Sequence, residues 1–353
     1  MRALVLSGGM GLRLRPFSHS MPKQLIPLAN KPVLVHVLEG LRSLGVTDIG
    51  LVVGERPGKI VERLGDGATL GVRLTYIQQD APRGLAHCVS IARDFLGDED
   101  FVMYLGDNLL TEGVADMAEE FRARRPAAQL VVHKVADPCA FGVAEVDASG
   151  RVLGLVEKPE HPVSDLALVG VYFFTPAIHE AVAAIEAGSR GELEITDAIQ
   201  WLVASGADVQ ARAYTGYWKD AGRIEDVLAC NRELLDRLRP SVSGAVDADS
   251  ELIGAVVVEE GARIVRSRIT GPAVVGAGTL IEGSTIGPHT SIGEGCVLRE
   301  VRLSDTIILE RATVQGVGPL RGSVIGREAT VTAAADGSHR LIVGDHARVE
   351  VAA

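Results

Sequence analysis

The chain has 353 residues, 47% of them hydrophobic, and 46 acidic residues against 35 lysines and arginines give a net charge of −11. That length exceeds one ordinary core and predicts two domains. The acidic balance argues against a nucleic-acid partner, no apolar run reaches the ~18 residues of a membrane helix, and no signal-peptide pattern opens the chain.

Charge is distributed unevenly. From Met1 to Leu38 there are five basic residues (Arg2, Arg13, Arg15, Lys23, Lys31) and no acid before Glu39. A cationic opening on an acidic protein suggests a local site for a small polyanion. The first predicted strand, Ala3–Ser7, runs into "LSGGMGLRLRP", Leu6 to Pro16. A dinucleotide fingerprint counted from Gly9 would need glycine where Leu14 stands, and a Walker loop would need Gly-Lys-Ser/Thr. What remains is a strand, then Gly8, Gly9 and Gly11, then Arg13. Glycines let backbone N–H groups turn toward one anion, and Arg13 can grip a phosphate with two charge-assisted hydrogen bonds.

Further strand-length runs follow at Ile49–Val53, Leu74–Gln78, Phe101–Tyr104, Leu130–Val135 and Val169–Phe174. Helical patterns lie between them, one over Pro32–Leu44 and one on the face Leu85, Val89, Ala92, Leu96. This alternation predicts an α/β domain over residues 1–240, a mainly parallel mixed sheet of Rossmann-like kind with helices on both faces. Its ligands belong at the carboxyl ends of the strands. Cys88, Cys139, Cys230 and Cys296 lie far apart without CxxC spacing, as expected of reduced thiols in a cytoplasmic protein.

After Pro240 and the linker "SVSGAVDADS" the period changes to six. Val258 and Ile264 are one pair; Ile269, Val275 and Ile281, then Ile286, Ile292 and Leu298, continue it, as do Ile325 with Val331 and Val343 with Val349. Apolar residues six apart with small residues at the corners predict a parallel β-helix over residues 245–353. Its register accounts for that segment as a stabilising and assembling element rather than a second catalytic one.

Several motifs stand in a fixed order: "GGMGLRLRP", "PKQL" at Pro22–Leu25, "YLGDN" at Tyr104–Asn108, "EKP" at Glu157–Pro159, "GELEITD" at Gly191–Asp197 and "WKDAG" at Trp218–Gly222. Together they resemble the sugar-1-phosphate nucleotidylyltransferases. More narrowly they resemble the glucose-1-phosphate thymidylyltransferases of the long form, whose C-terminal β-helix is left-handed. The resemblance covers essentially the whole chain. It implies small-molecule substrates, dTTP and glucose 1-phosphate, Mg²⁺ as cofactor, and a homo-oligomer with neither nucleic acid nor membrane as partner.

The resemblance also implies roles. Arg13, Lys23, Asp107, Lys158 and Asp220 would be catalytic, with Asp107 and Asp220 as metal ligands. Leu6, Gly8, Gly9, Gly11, Arg13, Gln24, Gln79, Gly84, Leu85 and Asp107 would line the nucleotide. Gly142, Glu157, Lys158, Leu168, Arg190 and Trp218 would line the sugar phosphate. The sequence departs from the family's pattern at Leu12, where threonine is usual, at Met10, where a small residue is usual, and at Phe141, often a tyrosine. Uridylyl or another base transfer stays open. So do an acyltransferase using His289 or His346, because hexapeptide β-helices often carry acyl transfer, and a non-catalytic nucleotide-sugar sensor.

Overall fold

The computed structural model describes residues 1–55, 57–188, 190–333 and 346. It divides into two compact units, Met1–Met10 with Val33–Asp220, and Gly11–Pro32 with Ala221–Ala353.

In the first unit the apolar runs become strands close to their expected bounds: Arg2–Ser7, Asp48–Val53, Arg73–Gln78, Phe101–Leu105, Ala128–Lys134 and Leu166–Phe174. Among the described residues they form a nine-stranded mixed sheet with the hairpin Gly142–Val146/Val152–Glu157 and the strand Val209–Ala213. Arg2–Ser7 is central and parallel to Asp48–Val53 and Phe101–Leu105, and Asp48–Val53 is parallel to Arg73–Gln78. Leu166–Phe174 runs antiparallel to Phe101–Leu105 and leads to the hairpin. Parallel strands must be covered on both faces, and the burial agrees. Leu4 and Leu6 share a core with Val52, Met103, Val89, Ile178 and Ile199, while the alternate residues Ala3, Val5, Ile49 and Leu51 are equally buried. The helix face Leu85, Val89, Ala92, Leu96 is kept across a break at Ala92, which separates Leu85–Ile91 from Arg93–Leu96.

The second unit is a parallel β-helix of three sheets, with the fold that the six-residue period predicts. Val258, Val275 and Ile292 stack in one sheet, Ile264, Ile281 and Leu298 in the next, and Ile269 and Ile286 in the third. All eight are at most 1% exposed, so each coil buries its apolar positions against the next. The step from Ile264 to Ile269 is five residues rather than six, so the coils up to Ile292 take seventeen, and the next, from Ile292 to Ile308, takes sixteen. The corner at Arg266, repeated at Gly283 and Glu300, sits at positive φ and takes one residue fewer. Val343 and Val349 lie outside the described residues.

Gly11–Pro32, an arm bearing Arg13 and Lys23, clusters with this second unit. Its turn at Ala29 and Asn30 has positive φ at both residues. The backbone N–H of Ala29 donates to Asn231 Oδ1 (2.8 Å), and Ser291 Oγ donates to the same oxygen (2.7 Å). Asn30 Nδ2 donates to the carbonyl of Ile292 (2.7 Å). Asn231 is fully buried on the helix Ile224–Asp236. One side-chain amide thus joins the arm, that helix and a β-helix coil.

Candidate active site

The carboxyl end of Arg2–Ser7 delivers Leu6 and the glycines to the place where Gln79 emerges from Arg73–Gln78. A Cβ on Gly8 would come within 3.1 Å of Gln79 Oε1. Glycine there serves close approach, whereas Gly11 at φ 64 serves conformation. Gln79 is 7% exposed, and its own N–H donates to the Val53 carbonyl (2.8 Å). Gly84 has φ 98 and ψ 170, and a Cβ there would lie 2.3 Å from the Leu193 carbonyl oxygen. No other residue fits. The same carbonyl accepts from the Ala86 N–H (3.0 Å), and Leu193 N–H donates to the Arg83 carbonyl (2.8 Å). The turn before Leu85 is thereby pinned. Gly8, Gln79, Gly84 and Leu85, all expected at the nucleotide, are brought together at the strand ends.

Asp107 follows the strand Phe101–Leu105 after Gly106, whose N–H donates to the Leu6 carbonyl (2.9 Å). The next strand, Asn108–Leu110, pairs antiparallel with Trp218–Asp220, and Asn108 stands opposite Asp220. Two carboxylates 113 residues apart in sequence are therefore placed in neighbouring register. Asn108 is 3% exposed. Its Nδ2 donates to Asp107 Oδ1 (3.3 Å), and its Oδ1 accepts from Trp218 Nε1 (2.7 Å). This asparagine orients Asp107 and anchors Trp218; it stands in the motif "YLGDN" but has no role in the sequence reading. Among the described residues no group of three or more His, Cys, Asp or Glu side chains is gathered for a metal. Two carboxylates with water and phosphate oxygens suit Mg²⁺, which keeps several waters and rarely has an all-protein cage. The donor set fits that ion.

At the hairpin, Gly142 pairs with Glu157. A Cβ on Gly142 would meet Leu168 Cδ1 and Thr196 Cγ2 at 2.8 Å and Glu157 Oε2 at 3.1 Å. Thr196 Oγ1 donates to Glu157 Oε2 (3.2 Å). Glu157 Oε1 is 3.4 Å from Lys158 Nζ and 3.2 Å from the Arg190 guanidinium, which also holds Glu194 at 2.5 Å. Gly142, Glu157, Lys158, Leu168 and Arg190 thus converge. Lys158 has φ 43, and its N–H donates to the Phe141 carbonyl (3.0 Å). The Phe141 ring meets Trp218 edge-on at 5.3 Å between centroids. Burial pushes the Glu194 carboxyl above its ordinary pKa, against the opposing effect of Arg190. Burial and the nearby Glu157 push Asp197 up as well. Thr196 and Glu194 have no role in the sequence reading, although both lie in "GELEITD".

In the second unit, Gly11 opens the 3₁₀ turn Leu12–Leu14, and a second turn, Lys23–Leu25, follows. A Cβ on Gly11 would lie 3.0 Å from Lys23 Cβ, so the two turns touch. Leu14 and Gln24 are buried beneath them. Arg13 and Lys23 are carried on this pair of turns. Met10 and Leu12, the departures from the family pattern, are 68% and 52% exposed. His289 is engaged by Asp236 (Nε2 to Oδ1, 2.8 Å), and His346 by Arg15 and the His19 ring.

Paired carboxylates and strand-end glycines on an α/β sheet, followed by a β-helix, define an enzyme of phosphate chemistry with a hexapeptide-repeat appendage. The chain belongs to the nucleotidyl transferase family, which matches residues 2–237. It is 53% identical to glucose-1-phosphate thymidylyltransferases of Streptomyces griseus and Streptomyces antibioticus, over 99% of both chains in each case. It is 40% identical to the low-salt glycan biosynthesis nucleotidyltransferase Agl11 of Haloferax volcanii, over 99% of this chain and 100% of that one. A Bacillus anthracis structure assigned as a glucose-1-phosphate thymidylyltransferase, in complex with sucrose, superposes with a TM-score of 0.63 at 31% identity. It covers 68% of this chain and 97% of its own. The kinship read from the motifs is borne out over the full length.

Proposed function

We propose that the chain transfers a thymidylyl group from dTTP to glucose 1-phosphate, giving dTDP-glucose and pyrophosphate. The full-length 53% identity to two glucose-1-phosphate thymidylyltransferases carries this reading. A phosphate monoester has its second pKa near ~6 and is mostly dianionic at neutral pH. The sugar phosphate is therefore already a nucleophile, and no general base is required. Its oxygen attacks the α-phosphorus in line as pyrophosphate leaves. The obstacle is repulsion between two polyanions, which positioning and cationic groups overcome.

Arg13 and Lys23 take the triphosphate, with backbone groups of Leu6, Gly8, Gly9 and Gly11. Gln24 reaches the nucleotide sugar, Gln79 and Gly84 read the base, and Leu85 walls it. Lys158 and Arg190 take the sugar phosphate, Glu157 accepts from sugar hydroxyls, and Gly142, Leu168 and Trp218 shape that end. Asp107 and Asp220 would hold Mg²⁺, which when bound neutralises phosphate charge. We assign catalysis to residues 1–240 and assembly into a homo-oligomer to residues 245–353. No helix among the described residues is long and apolar enough to cross a membrane. The four cysteines are free, in keeping with work in the cytoplasm.

The test is pyrophosphate release from each of five triphosphates with several sugar 1-phosphates. dTTP with glucose 1-phosphate should give the highest kcat/KM. UTP should follow about 10- to 100-fold lower, because one methyl in an apolar pocket discriminates only that far. ATP or GTP exceeding dTTP would overturn the base assignment.

A further inference from the structure

Gln79 can read a base in two opposite ways, because its amide presents a donor on one side and an acceptor on the other. Turned one way, it offers a carbonyl to an N–H, as the imide of thymine or uracil requires. Turned the other, it offers an N–H to a ring nitrogen, as cytosine requires. The surroundings choose between them. Nε2 of Gln79 faces the Gly84 carbonyl (3.4 Å) and Nδ1 of His87 (3.1 Å). A carbonyl oxygen only accepts, so the amide nitrogen belongs on that side. His87 Nδ1 completes the arrangement as a second acceptor, which puts the ring proton on Nε2. Cys88 lies on the same side: its Sγ donates to the Gly84 carbonyl (3.5 Å). Burial pushes its thiol up to about 12, and the hydrogen bond from Gln79 only partly offsets this. Gln79 Oε1 is left toward Gly8, where a Cβ would stand 3.1 Å from it.

We infer that His87 is a specificity-determining positioning residue, whose Nδ1 holds the Gln79 amide with its oxygen toward the base and so selects an imide over cytosine. The inference rests on the thymidylyl-transfer reading above and deepens it. His87 sits in the first turn of the helix Leu85–Ile91 and is half-buried. It acts through Gln79. The weaker Gly84 bond alone, at 3.4 Å, leaves the amide free to turn once its second acceptor is replaced by a donor.

The experiment measures kcat/KM for dTTP and dCTP, with glucose 1-phosphate, in the full chain and in three variants. His87→Glu keeps an acceptor, His87→Leu removes it, and His87→Lys replaces it with a donor. The dTTP-to-dCTP ratio should be held in His87→Glu and fall in His87→Leu. It should fall furthest in His87→Lys, by about 10- to 100-fold, the range set by opposing one buried hydrogen-bonding group. KM for glucose 1-phosphate should stay constant throughout. If the three variants lower dTTP and dCTP turnover by the same factor, the ratio is unmoved and His87 merely packs, which overturns the inference. A variant that fails to fold is replaced by His87→Gln, whose side-chain carbonyl restores the acceptor and should restore the ratio; a lowered ratio there also overturns it. Failure of the underlying reading looks different: the unmodified chain would then show no preference for dTTP over dCTP or the purines.

Discussion

The β-helix and the carboxylate cluster around Glu157 treat charge in opposite ways, although elsewhere in the sheet unit Asp48 and Glu120 are each paired with two arginines. In the β-helix, charged residues pair along the stack. Glu282 is shared by Arg266 (2.6 Å) and Arg299 (3.3 Å), and Arg311 reaches Glu328 (2.8 Å) and Glu310 (3.6 Å). Glu282 lies directly beneath Arg299 in the ladder, so the coil repeat itself supplies partners. In the sheet unit, Glu157, Glu194 and Asp197 crowd around one another, and burial raises two of them. Arg190 serves both Glu157 and Glu194, and Lys158 adds a second cation beside Glu157. Charge answered in place marks scaffold. Around Glu157, three carboxylates share the two cations Lys158 and Arg190.

The largest effect is expected at the register-neighbouring Asp107 and Asp220. Asp107→Asn keeps the shape and removes one charge from the donor set. Turnover with Mg²⁺ should fall about 10²- to 10³-fold, equivalent to roughly 3–4 kcal/mol of transition-state stabilisation. The melting temperature should hardly move. Near-normal turnover would remove Asp107 from the metal site.

The cationic residues should divide by substrate. Lys158→Ala should weaken glucose 1-phosphate and Arg13→Ala dTTP, each about 10- to 100-fold, the worth of a charged hydrogen bond of ~1.5–3 kcal/mol. Calorimetric titration with nucleotide alone separates them. Equal losses of nucleotide affinity would mean that the roles are wrongly divided.

The arm carries Arg13 and Lys23 yet is held by the β-helix unit. Asn231→Ala leaves the part-buried Ala29 N–H and the buried Ser291 hydroxyl without their shared acceptor, at a cost of ~1–3 kcal/mol. Chemical denaturation should register that loss, accompanied by a raised KM for dTTP and an unchanged KM for glucose 1-phosphate. A chain ending at Arg239 loses Ser291 and Ile292 together and should behave the same way, retaining some transfer activity. If it binds dTTP as tightly as the full chain, the arm supports itself.

The crowded carboxylates should also leave a pH signature. A carboxyl raised in the folded state binds more protons folded than unfolded between its ordinary and its raised values. Stability therefore falls as pH rises through that window. Glu194→Gln should flatten this slope in urea denaturation performed over a series of pH values above the ordinary carboxylate range of about 4. A slope unchanged in the variant would show that Glu194 is not its source. The smallest effect belongs to the β-helix pairs. Glu282→Gln should cost at most about 1 kcal/mol, as exposed ion pairs do, and leave turnover untouched. A larger loss would give the ladder a stabilising role beyond its pairs.

The elements were legible wherever burial follows a local period. The alternation of Leu4 and Leu6 with Ala3 and Val5 announces a strand covered on both faces, and the spacing of Ile269, Val275 and Ile281 announces stacked coils. Each residue there needs only to know which side is dry. The motifs were legible for a related reason: glycine before Asp107, or at 84, is demanded by local backbone geometry and by close approach, so residue type and position carry the signal. Folding in three dimensions decided what depends on partners far away in sequence. Nothing near Ala29 or Asn30 indicates that they bond to residues 202 and 262 positions later, so the allegiance of the arm to the second unit was invisible. Asn108 and Thr196 stand inside quoted motifs and His87 two residues after Leu85, yet each acts through a side chain brought from another strand or turn. The short step in each coil also escaped the period, because a corner at positive φ removes one residue without disturbing which side chains face inward. A hydrogen bond depends on the angle and distance between two particular atoms, and sequence periodicity reports only which residues leave water.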